Sequence, residues 1–102
     1  MSTLHTINKS PFETNSLETC LRLAANGNTV LFYEDGVYGA MKGTTVADKI
    51  KSAMKNLTFC ALGPDLKARG IDAGKLLEGI KVVDYSEFVK LSVDNDKVQS
   101  WI

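Results

Sequence analysis

The sequence contains two thiols, Cys20 and Cys60, that could act as nucleophiles without a cofactor. A thiolate attacks disulfides and persulfides, and its reactivity follows its ionised fraction and its access to solvent. The single histidine, His5, is the only imidazole on hand for a Cys–His pair. Two cysteines and one histidine fall short of a structural zinc site, so no metal is expected. Glu34 and Asp35 are adjacent carboxylates, but neighbours on an extended segment point apart, which favours turn-forming and capping roles over acid–base chemistry. Gly36-Val37-Tyr38-Gly39 lacks the glycine spacing and the Lys-Ser/Thr pair that would cradle a phosphate, so no nucleotide cofactor is expected either.

The surroundings of each thiol decide how far it can ionise. Cys20 shares a helical stripe with Leu17, Leu21 and Ala24, one turn past the start of that helix and beyond the strongest influence of its N-terminal amides. Glu18 opposes whatever Arg22 contributes. An inert core thiol is the commoner outcome for such a residue, and a reactive thiol is the alternative. Cys60 lies between Phe59 and Ala61 in an apolar run, where burial is expected. Lys67 and Arg69 are accounted for as cations closing a short helix. Trp101 and Ile102 are large apolar residues at the end of the sequence, expected to dock on the domain itself or on a partner.

The elements that position these residues alternate along the chain. Strands are expected over Thr3–Ile7, Thr29–Tyr33, Thr58–Leu62 and Ile80–Val83, with a last extended piece over Lys97–Ile102. Pro11 disfavours helix at Ser10, so Asn8 to Pro11 reads as a turn. A helix follows, capped by Asn15 with Glu18 three residues on and stopped by Gly27. A second is capped by Thr45 with Asp48, burying Val46, Ile50, Ala53, Met54 and Leu57. Gly63-Pro64 reads as a turn before a short helix from Asp65 to Arg69, ended by Gly70. Asp84 introduces a last helix from Tyr85 to about Asp94. Alternation of this kind requires right-handed crossovers and gives an α/β fold, a mostly parallel sheet of about five strands with helices on both faces. Ligands of such sheets bind beyond the carboxyl ends of the strands, here Asn8–Phe12, Glu34–Ala40, Leu62–Asp65 and Asp84–Ser86.

Size and charge narrow the function classes. The 102 residues make one domain, 1–102. Twelve basic and twelve acidic residues leave no net charge, so the chain has no global field for nucleic acid or anionic lipid. Met1-Ser2-Thr3-Leu4-His5 does not open a leader, and no apolar run approaches the ~20 residues of a membrane span, so a cytoplasmic protein is expected.

Five ordered blocks then carry a resemblance: HTINKSPF from His5, EDGVY from Glu34, LGPDLKARG from Leu62, VVDYSEFVKL from Val82, and the ending VQSWI. Together they resemble the DsrH/TusB family across essentially the whole chain. The resemblance implies a DsrE-like fold and a heterohexamer with DsrE-like and DsrF-like subunits that relays persulfide sulfur. It implies exchange with a DsrC/TusE-like carrier protein, no direct contact with nucleic acid or membrane, and no cofactor. In the TusB branch the sulfur goes toward 2-thiouridine in tRNA; in the DsrH branch it serves dissimilatory sulfur oxidation. DsrH proteins are similar to this sequence in having a cysteine that matches Cys20, which TusB proteins commonly lack. The resemblance therefore favours the DsrH branch, with Cys20 as sulfur carrier, and leaves a non-catalytic TusB-like scaffold as the alternative. The main acceptor cysteine of such complexes belongs to the DsrE/TusD subunit, and the resemblance puts its matching position here near Leu62 rather than at Cys60. Gly39 stands where an alanine often follows EDGVY.

Overall fold

The computed structural model describes residues 2–102; Met1, which opens the segment read for a leader, lies outside them. Five strands form one sheet: β1 (Thr3–Ile7), β2 (Thr29–Phe32), β3 (Thr58–Leu62), β4 (Lys81–Val83) and β5 (Lys97–Trp101). Their order is β4-β3-β2-β1-β5 and every pairing is parallel, as the alternation of elements requires. The helices are α1 (Ser16–Leu23), α2 (Ala47–Ala53), α3 (Gly63–Ala68) and α4 (Tyr85–Asp94).

Side-chain alternation along the central strands separates two packing layers. Ile7, Val30, Phe32, Phe59 and Ala61 face one way and meet Leu17 and Cys20 of α1, Ile50 of α2 and Leu66 of α3. Phe32 and Phe59 stack across β2 and β3 with ring centroids 6.0 Å apart. Leu4, Leu31, Cys60, Leu62 and Val83 face the other way, where only Phe88 and Leu91 of α4 and Tyr33 pack on them. Three successive crossovers thus step across one face from β1 to β4. The fourth, through α4, returns across the opposite face and lays β5 beside β1. One helix covers a five-stranded face thinly, and no residue of α4 is fully buried.

Local chemistry explains most element boundaries and corrects several expectations. Asp84 accepts from the Glu87 amide at 2.7 Å while Glu87 accepts from the Asp84 amide at 3.2 Å, a reciprocal cap that starts α4. Asn15 and Thr45 do not cap as the spacing suggests. Asn15 precedes α1 without a side-chain bond, and Glu18 reaches out to Lys49 of α2 at 2.8 Å. That lysine holds the Glu18 carboxyl below the usual range, by hydrogen bond and charge. Val46, rather than Thr45, precedes α2, again without a side-chain cap. Gly63-Pro64 is the first turn of α3 and not a separate turn, since proline lacks only an amide that the first turn leaves unpaired. Glu34 and Asp35, for which turn-forming and capping roles are expected, open a 3-10 helix of seven residues, Glu34–Ala40. β2 and β4 are each one residue shorter than the apolar runs suggest.

Candidate functional site

The carboxyl ends of β1, β2 and β3 bring three of the sequence blocks into contact. The β1 carbonyl of Ile7 accepts from the Tyr33 amide at 3.0 Å, tying the end of β2 to β1. The 3-10 helix then passes so close to β1 that Gly36 lies against the same carbonyl: an added Cβ would stand 2.0 Å from the Ile7 oxygen. Only glycine fits that approach. Two residues earlier, Glu34 takes a left-handed conformation at φ 48°, unusual for a residue with a side chain. Its amide donates to Asp65 of α3 at 2.6 Å, which holds the bend.

Asp35 completes this joint. One of its carboxylate oxygens accepts from Arg69 Nε at 3.0 Å and Nη2 at 2.9 Å, and Arg69 Nη1 donates to the Asp65 carbonyl at 3.3 Å. The bond to Asp35 stabilises the guanidinium charge and raises the Arg69 pKa. Arg69 is thus more than a cation at a helix end: it clamps α3 to the 3-10 helix. The pair is half open to solvent, which limits its worth to about 1 kcal/mol or less. The Asp35 carboxylate serves this clamp, while Glu34 contributes its backbone amide. The preceding loop is organised by Ser10, whose carbonyl accepts from the Glu13 and Thr14 amides and whose hydroxyl accepts from the Phe12 amide.

Cys20 takes no part in the bonds of this joint and lies inside the larger layer with no solvent exposure. Burial pushes its thiol up to about 12, so the protonated form prevails at pH 7. Cys60 is buried on the opposite face of the sheet. Burial raises its pKa as well; Lys81 opposes the rise and Glu87 adds to it. Both thiols are free. Neither has His5 as a base, because both ring nitrogens of that histidine are already bonded, one to Asn28 and one to Trp101. Leu62, at the end of β3, is buried and apolar. Among the described residues no cluster of His, Cys, Asp or Glu is suited to a metal ion. Nor is any described helix long and apolar enough to cross a membrane.

Trp101 docks on its own domain, half-buried against the larger layer, whereas Ile102 stays 82% exposed. Sequence reasoning missed the 3-10 helix, the Asp35–Arg69 clamp and the His5–Trp101 contact. The block EDGVY was the available signal for the first of these, since a glycine between acidic and apolar residues marks a close approach as readily as a turn.

The architecture is that of the DsrE-like fold. The chain superposes on the crystal structure of the ychN protein from E. coli with a TM-score of 0.86, at 18% identity over 98% of both chains. It superposes on MTH1491 of Methanobacterium thermoautotrophicum with a TM-score of 0.75, at 19% identity over 97% of both. Within that fold the sequence is decisive: residues 9–98 match the model of the DsrH like protein family, and the chain belongs to that family. It is 35% identical to Protein TusB of Shigella flexneri and 34% identical to Protein TusB of Escherichia coli K12, in each case over 96% of this chain and 99% of the relative.

Proposed function

We propose that this chain is a TusB-like, non-catalytic subunit of a cytoplasmic sulfur relay that feeds 2-thiouridine formation in tRNA. In this reading DsrE-like and DsrF-like subunits surround it in a heterohexamer, hold the persulfide, and exchange sulfur with a DsrC/TusE-like carrier. The observation that supports it most is the state of Cys20, without exposure and with a thiol pushed up to about 12, since persulfide transfer needs a reachable thiolate. The kinship with TusB proteins supports the tRNA branch over the sulfur-oxidising branch that Cys20 alone suggested. An exposed apolar stripe on α4 supports a subunit role, formed by Tyr85, Val89 and Val93 at 59%, 62% and 76% exposure.

Deleting the gene in its host is expected to deplete tRNA of 2-thiouridine, and a Cys20→Ala copy is expected to restore it. Unchanged 2-thiouridine, accompanied by loss of sulfur oxidation, would return the chain to the DsrH branch.

A further inference from the structure

His5 stands in the middle of a three-residue chain of hydrogen bonds that holds the edge of the sheet. Its ring is buried, and Trp101 Nε1 lies 3.1 Å from His5 Nδ1 while Asn28 Oδ1 lies 3.0 Å from His5 Nε2. The directions of these bonds follow from the partners. An indole nitrogen only donates, so His5 Nδ1 is the bare nitrogen and accepts. Asn28 Oδ1 also accepts from the Ala25 amide at 3.1 Å, which fixes the orientation of the Asn28 side chain. It therefore receives the Nε2 hydrogen of His5. In this arrangement Nε2 donates and Nδ1 accepts, so each ring nitrogen is engaged.

The other end of this chain is an edge. Among the described residues β5 pairs only with β1, and Trp101 stands opposite Ile7 at its last register position. The start of β5 is held separately, by the Ser2 amide donating to Asp96 at 2.9 Å and the Asp96 amide donating to Ser2 Oγ at 3.1 Å. At its far end Trp101 Nε1 makes one side-chain bond, and the acceptor is His5. Lys97 of β5 is the titratable side chain that lines the cleft around His5. β1 brings Thr3 to it, α1 brings Leu23 and the following turn brings Ala25 and Asn28, none of which titrates.

We propose that His5 is a proton-operated latch on β5. A proton taken up at Nδ1 leaves the imidazolium with hydrogens on both nitrogens. The bond to Asn28 survives, but the Trp101 indole then faces a donor in place of an acceptor, and its ring leaves the cleft. Neutral conditions hold the end of the edge strand against β1; acid releases it and opens the edge to another strand.

The sequence contains one tryptophan and one histidine, so each gives an unambiguous signal. The indole N–H and imidazole resonances of the full chain should be followed between about pH 8 and about pH 5, across the imidazole range. Both are expected to move in one shared single-proton step, with Trp101 fluorescence shifting to the red. An indole signal that stays fixed while the ring titrates overturns the latch, and so does a ring that remains neutral throughout. Trp101→Phe gives a second reading, since it keeps an aromatic ring but removes the donor. The urea midpoint of wild type should exceed that of Trp101→Phe at the neutral end, and the gap should close at the acid end. A gap independent of pH overturns the proposal.

Discussion

Gly36→Ala is expected to be among the most damaging single substitutions in this protein, lowering stability by about 3 kcal/mol or more. The new methyl would stand 2.0 Å from the Ile7 oxygen and 2.8 Å from its carbon, both backbone atoms of a strand buried within the sheet. Neither can move aside alone. The 3-10 helix must lift from β1, and the Tyr33 amide bond to the same carbonyl, 3.0 Å long, goes with it. In a chain of this size such a loss corresponds to a fall in Tm of roughly 12 °C or more, readable by calorimetry. Gly39→Ala, three residues along the same helix, is the control. A Cβ there meets Phe32, Pro11 and Leu17 side chains at 3.4 Å or beyond, which is ordinary contact. It should be neutral or stabilise by about 0.5 kcal/mol. Equal losses at both positions would contradict the close approach as the reason for Gly36.

The second large effect is expected at Cys20 and depends on pH. The folded chain keeps this thiol protonated up to about 12, whereas the unfolded chain ionises it at about 8.5. Above the unfolded value the folded state binds more protons than the unfolded state, so stability falls as pH rises between the two. The stabilisation from Cys20 is therefore complete at pH 7 and is lost progressively in alkali, at about 1.4 kcal/mol per pH unit. Relative to Cys20→Ala, wild type is expected to lose about 2 kcal/mol between pH 7 and pH 10, measured as the change in the difference between their unfolding free energies in urea. Cys20→Ser places a hydroxyl among apolar side chains and should be less stable than wild type at pH 7 by about 1 to 3 kcal/mol. A difference between wild type and Cys20→Ala that does not change with pH would mean that the thiol is reached by water in the native state.

These expectations mark where the sequence is legible and where it is not. Val30, Leu31 and Phe32 are apolar on both alternations, and that run identified a strand covered on both faces. Asp84 announced α4 because a cap is a short-range bond between neighbours in sequence. The parallel sheet followed from alternation, whereas its order did not, since right-handed crossovers permit several strand orders. The features of the joint depend on residues far apart in the chain. Gly36 reads as a turn until β1 is brought beside it, and Arg69 reads as a helix-end cation until Asp35 arrives. Cys20 was placed correctly on the inward stripe of α1. The resemblance to DsrH proteins favoured a carrier role at that residue. Its burial in the layer beneath three helices favours packing.

The proposal that this chain serves a sulfur relay without itself carrying sulfur is open to test through the mass of the chain. The chain should be isolated together with the proposed DsrE-like and DsrF-like partners, exposed to a sulfane sulfur donor, and measured subunit by subunit without reduction. The account predicts that a partner subunit gains the mass of a sulfur atom while this chain remains unmodified at both Cys20 and Cys60. A persulfide on Cys20, formed as readily as on the partner and absent from Cys20→Ala, would contradict it and make the residue a carrier.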